Sequence, residues 1–132
     1  MRHSSAEKWE ARLNSLIDEI DDLLEDRYGH KYRLHPARSQ RGRTSSKSHD
    51  GLFNIVASFS LGAGSSLGRG YVVDVQLATL EKVPDEVIKE IESFTMKKVR
   101  ERLDKYFPNR DLKADLDGDV IKIYGDLSLG RS

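Results

Sequence analysis

A strongly basic segment early in the chain is the feature of the sequence that points most directly to chemistry. Between Arg27 and His49 the chain has seven lysines and arginines, three of its four histidines and no carboxylate. A run of like charges with few apolar residues does not bury itself, so it stays solvated or contacts an anion. Because guanidinium groups match the geometry of phosphate oxygens, the segment predicts a phosphate-bearing or acidic ligand.

Several side chains of this segment are candidates for contacts with a nucleic-acid backbone. Arg38, Arg41, Arg43 and Lys47 lie in a stretch rich in serine, whose hydroxyl groups add neutral donors for phosphate. Tyr32 could stack on an exposed base. RNA or DNA is therefore the partner that we expect.

A second interpretation of the same arginines stays open. Six carboxylates crowd the C-terminal half of the helix predicted just before the basic segment: Asp18, Glu19, Asp21, Asp22, Glu25 and Asp26. The helix macrodipole is negative at that end and disfavours them. If the basic segment folds back, its arginines neutralise the chain's own carboxylates instead of a ligand.

A glycine-rich stretch at residues 62–70 is the second candidate for phosphate contacts. Its backbone N–H groups could point at a phosphate, and Arg69 adds charge beside Gly64 and Gly68. However, the stretch leads into a predicted strand, whereas dinucleotide and P-loop motifs lead into a helix. The alternative is a flexible hairpin connection without a ligand.

No set of residues has the spacing of a catalytic or metal site. His35 and His49 are candidates for contacts with the ligand, since their spacing matches no helical pair of metal ligands. Asp50 follows His49, but neighbours in an extended chain point apart, so the carboxylate is not expected to orient the imidazole. Asp115, Asp117 and Asp119 faintly resemble a calcium loop, but the glycine falls at the wrong position. We expect no cofactor and no catalysis, and an enzyme acting through the histidines is a distant third hypothesis.

Composition limits the class of protein. A chain of 132 residues has room for one domain, 1–132, and its formal net charge of zero disfavours indiscriminate binding to nucleic acid or anionic lipid. It has no cysteine, and no apolar run approaches the roughly 20 residues that span a bilayer. We therefore expect a cytoplasmic protein that does not bind membranes.

Hydrophobic periodicity predicts the elements that position these candidates. Apolar residues at three- and four-residue spacing predict a first helix from about Ser5 to Tyr28 and a second from Val83 to Pro108. Alternation predicts strands at 51–61, 71–77, 112–116 and 120–127, with a hairpin turn at Asp117-Gly118. The basic loop, residues 30–50, is predicted to be flexible.

This order predicts an α+β two-layer sandwich, α-β-β-α-β-β, in which two helices cover one face of a four-stranded antiparallel sheet. The other face then lacks a helical cover. Tyr71, Tyr124 or an edge strand could there contact a protein partner or a second copy of the chain. A protein-interaction or assembly module is therefore the alternative to phosphate binding.

Overall fold

The computed structural model describes residues 4–44, 50–108 and 110–125, with side chains from residue 8 onward. Its elements are α1 (Ser4–Tyr28), β1 (Phe53–Ser60), β2 (Gly70–Leu77), α2 (Asp85–Tyr106), β3 (Leu112–Asp117) and β4 (Val120–Gly125). The strands form one sheet in the order β1-β2-β4-β3, and all neighbours are antiparallel. The predicted α+β sandwich with the order α-β-β-α-β-β is confirmed.

The core lies between the two helices and one face of the sheet. The apolar stripe of α1 is buried from Trp9 to Leu24, and Trp9 stacks on Tyr71 of β2 and contacts Phe107 after α2. Odd-numbered residues of β1, β2 and β4, such as Ile55, Val73 and Ile123, point to this core and are almost fully buried. This alternation is the period-two pattern of a sheet with one covered face.

A polar contact also joins the helices. Glu19 of α1 accepts hydrogen bonds from Tyr106, Arg102 and Lys105 on the last turns of α2. These hydrogen bonds lower the pKa of Glu19 to about 2, so the carboxylate is ionised at every physiological pH. One of the acids that the helix dipole disfavours is thereby matched by cations of the neighbouring helix.

The observed boundaries differ from the predicted ones by a few residues. The β3–β4 turn consists of Gly118 and Asp119 rather than Asp117-Gly118, because Asp117 still pairs with Val120. The second helix begins at Asp85, directly after Pro84, and ends before Phe107. Residues 126 and 127, predicted to end the last strand, lie outside the described residues.

Candidate functional site

The part of the basic loop from His35 to Thr44, here called the strap, lies along the start of β1. Its backbone is fastened at two points: His35 N donates to Ala78 O at 2.8 Å, and Gly51 N donates to Ser39 O at 2.9 Å. Ser39 and Asp50 form an isolated parallel bridge. The strap therefore borders the outer edge of the sheet.

Arg38 closes that edge with its guanidinium group. Its Nε donates to Gly51 O at 2.9 Å, and its Nη2 donates to Asp50 O at 3.1 Å and Phe53 O at 2.9 Å. These carbonyls would otherwise be unpaired acceptors at the first residues of an edge strand. The guanidinium that was predicted to contact phosphate thus binds the backbone of its own chain.

Glu25 of α1 satisfies the matching donors. Its carboxylate is only 7% exposed and accepts hydrogen bonds from Leu52 N at 3.1 Å and Phe53 N at 2.8 Å. Gly51 makes room for it: a Cβ at that position would lie 2.6 Å from Glu25 Oε2, and the residue has a φ of 75°. Only glycine adopts this left-handed backbone without strain beside a buried carboxylate.

Arg41 lies among the carboxylates that the helix brings to the same place. Its Nη1 is 2.7 Å from Asp21 Oδ1 and 3.2 Å from Asp50 Oδ1, and its Nη2 is 2.6 Å from Asp22 Oδ1. Arg41 therefore pairs with the chain's own acids. This is the second interpretation that the sequence left open. Arg41 is 29% exposed while Asp21 and Asp50 are each 2% exposed, so the contact is largely shielded from water.

The two buried aspartates respond to burial in opposite ways. Burial acts to raise the pKa of Asp50, but hydrogen bonds from Thr44 and Gly42 and the charge of Arg41 outweigh it and lower that pKa. Asp21 has no such set of donors, and burial raises its pKa to about 7 in spite of Arg41. The cluster thus carries an excess of acid that binds a proton near neutral pH.

The other predicted residues of the basic loop are more scattered. Tyr32 is half-buried and lines a cavity of about 590 Å³ beside the end of α1, together with Arg41, His30 and three acids of that helix. His35 is exposed, and its Nδ1 accepts a hydrogen bond from Ala37 N. Arg43 is exposed, while Lys47 and His49 lie outside the described residues.

The glycine-rich loop lies at the opposite end of the β1–β2 hairpin. Seven strand steps, about 23 Å, separate the two ends, so the structure does not bring Arg69, Gly64 and Gly68 together with the strap. Gly64 and Gly68 have a positive φ and open space where a Cβ would be. Arg69 is exposed.

Lys122 of β4 holds this loop over the face of the sheet that no helix covers. Its Nζ donates to Gly68 O at 2.7 Å and Ser65 Oγ at 2.9 Å, and it lies 2.9 Å from Asp117 Oδ2. The side chain is 1% exposed although it alternates onto the uncovered face. Sequence analysis missed this contact, because a lysine on that face of a strand is normally solvated.

Among the described residues, the second half of β2 has a neighbouring strand on one side only. β1 pairs with β2 along its whole length, to Leu77, but β4 pairs with it only from Gly70 to Val73. Ala78 N donates to Leu52 O at 2.7 Å, so a bond of the β1–β2 ladder lies just beyond the pair Phe53–Leu77. Because bonded and non-bonded pairs alternate along an antiparallel ladder, the N–H and C=O groups of Val75 and Leu77 point away from β1, to the side where no described strand pairs with them.

An apolar depression adjoins this free edge, and we name it the β2 notch. It has a volume of about 190 Å³ and is lined by Val73, Asp74, Val75, Leu77, Ile88, Ile91, Glu92, Asp119, Val120 and Ile121. Ile88 is 40% exposed at its rim. The notch therefore combines apolar side chains with backbone groups available for pairing, and sequence analysis missed it because it depends on where β4 begins relative to β2.

Among the residues that the structure describes, no three histidine or acidic side chains are arranged to hold a metal ion. None of the helices in that part of the chain is both long and apolar enough to cross a membrane.

Comparison with known proteins finds relatives without an assigned activity. A family described as "Uncharacterised protein" matches residues 4–125. A protein from Borreliella burgdorferi, described as an uncharacterized protein, is 36% identical over 125 residues, which cover 95% of this chain and 98% of the relative. No solved structure matches.

The contact between Gly51 and Glu25 gives a prediction for stability. Gly51→Ala forces an unfavourable left-handed backbone and places a methyl group against the buried carboxylate, so we expect it to lower the free energy of unfolding by about 3 kcal/mol. Gly42→Ala is the matched control, because Gly42 also has a positive φ but nothing lies within 4 Å of an added Cβ. It should cost only about 1 kcal/mol in urea denaturation. Equal losses would show that the carboxylate does not require the glycine.

The raised pKa of Asp21 gives a prediction for pH dependence. The folded protein keeps this proton up to about pH 7, whereas the unfolded chain loses it near the ordinary aspartate pKa of 3.8. The folded state therefore binds more protons in this window, and the contribution of Asp21 to stability declines as the pH rises through it. Asp21→Asn should remove that decline.

The measurement is the free energy of unfolding of both proteins in urea between pH 5 and pH 8. Stability of the variant relative to the original chain should rise across this range. Asp18→Asn, which removes an exposed acid of the same helix, serves as the control. A constant difference between the Asp21 variant and the original chain would contradict the assigned proton.

Proposed function

The chain belongs to this family of uncharacterised proteins, and we propose that it is a non-catalytic protein-interaction module that binds an extended segment of a partner protein along the free edge of β2. The observation that carries the proposal is the β2 notch, where Val75 and Leu77 present backbone groups beside an apolar depression. An extended segment that adds a strand gains backbone hydrogen bonds from such an edge and specificity from the neighbouring pocket.

Side chains that cover the two outer edges of the sheet support the free edge of β2 as the binding surface. Arg38 binds the carbonyls of Gly51 and Phe53 at the start of β1, and Arg100 of α2 donates to Ala114 O of β3 at 2.8 Å. Charged side chains that cover backbone acceptors are a means by which proteins prevent pairing between edges. Both outer strands have backbone carbonyls covered by an arginine in this way. Among the described residues, no arginine or lysine side chain covers the second half of β2 in the same manner.

The dimensions of the edge favour a segment of a partner over a second copy of this chain. The β3–β4 turn at Gly118 and Asp119 lies at one end of the free stretch, which leaves room for about three or four residues of an added strand. The outer strand β1 of a second copy has eight residues and is bordered by the strap, so it does not fit this opening. The cytoplasm is the proposed compartment, which suits a chain without cysteine.

Phosphate binding by the basic loop stays a second candidate. Arg38 and Arg41 contact the chain itself, so this hypothesis now depends on Lys47 and on exposed cations such as Lys31, Arg33 and Arg43. Anisotropy of labelled single-stranded RNA and duplex DNA tests it. Binding that weakens steeply with salt and is lost in Arg43→Glu with Lys47→Glu would support it.

The interaction proposal is tested by selecting displayed peptides on the protein and measuring their affinity. Ile88→Asp places a charge at the rim of the notch without disturbing the core, because Ile88 is 40% exposed, and it should weaken the selected peptides at least about tenfold. Leu80→Asp is the matched control, since Leu80 is 74% exposed and does not line the notch. It should leave the affinity unchanged.

Amide resonances locate the bound peptides independently. Val75 and Leu77 should show the largest shifts on titration, because their N–H groups gain acceptors. Peptides that bind both variants equally, or that shift the strap instead of β2, would overturn the proposal.

A further inference from the structure

The charged residues that line the β2 notch are all acidic. They are Asp74 of β2, Glu92 of α2 and Asp119 of the β3–β4 turn, and the lining contains no lysine, arginine or histidine. Asp74 accepts a hydrogen bond from the side-chain amide of Gln76 at 3.0 Å, and this donor carries no charge that would offset that of the carboxylate. A segment entering the notch therefore meets negative potential around an apolar surface.

The apolar and the acidic residues that line the notch lie on opposite faces of the position that an added strand would take. Val75 and Leu77 belong to the odd-numbered set that faces the helices, where Ile88 and Ile91 of α2 continue the apolar surface. Asp74 belongs to the even-numbered set on the face without helices, and Asp119 is exposed in the adjoining turn. Successive side chains of a strand point to opposite faces, so an added strand contacts the two surfaces alternately.

We infer that the partner segment of the β2 notch is an extended peptide in which apolar residues alternate with lysine or arginine, an inference that rests on the proposed function. The apolar side chains pack toward Ile88 and Ile91, and the cations lie opposite Asp74 and Asp119. Glu92 contributes less to this preference, because it also lines an adjoining groove that contains Lys89 and Arg100.

Three short labelled peptides of equal length test the inference by fluorescence anisotropy. In the first peptide valine alternates with lysine, in the second with serine and in the third with glutamate. At low salt the lysine peptide should bind about tenfold more tightly than the serine peptide, and the glutamate peptide should bind most weakly. The advantage of lysine should shrink at about 0.5 M salt, since rim charges are screened.

Variants separate the charge preference from binding itself. Asp74→Asn combined with Asp119→Asn should bring the lysine peptide to the affinity of the serine peptide, which should itself bind unchanged. Asp104→Asn combined with Asp111→Asn removes the same charge from exposed sites that do not line the notch and should preserve the preference.

The possible failures are distinguishable. If the serine and lysine peptides bind equally well, and both are weakened by Ile88→Asp, the charge inference is overturned while the proposed function stands. If no peptide binds, or if Ile88→Asp has no effect on any of them, both are overturned.

Discussion

The structure depends on a buried carboxylate at the end of α1 that accepts the first backbone donors of β1. A buried ion is costly unless it is hydrogen-bonded and its charge is offset. Glu25 has the two N–H groups of Leu52 and Phe53, and Gly51 gives it space. Arg41 then brings positive charge to the same cluster from the strap. The helix, the basic loop, the glycine and the strand therefore follow one another in an order that supplies this carboxylate with donors, space and positive charge.

This arrangement explains two of the arginines of the basic loop. Arg38 covers carbonyls that β1 leaves unpaired, and Arg41 lies among Asp21, Asp22 and Asp50. Each needs a guanidinium group rather than an ammonium, because several acceptors lie in different directions around one side chain. A composition typical of a nucleic-acid arm also suits a segment that neutralises and closes the edge of its own sheet.

Local patterns predicted the architecture, and long-range contacts decided the rest. The apolar stripes of α1 and α2 and the alternation in the strands depend on neighbouring residues, so they could be read from the sequence. The partner of Arg41 could not be predicted, because the residues around an arginine look the same whether it binds a ligand phosphate or an aspartate far away in the sequence. Lys122 is a similar case: alternation places it on the uncovered face, and only the glycine-rich loop buries it. The β2 notch depends on the register of β4, which no local pattern contains.

The central claim is that the strap and Glu25 are fixed parts of the fold, and native-state hydrogen exchange of four amides tests it most directly. Leu52 and Phe53 donate to Glu25, while Gly42 and Thr44 donate to Asp50. The account predicts that the first two exchange as slowly as core strand amides such as that of Val73, and that the strap amides are clearly protected. Exchange of all four at the rates of an unstructured peptide would contradict it.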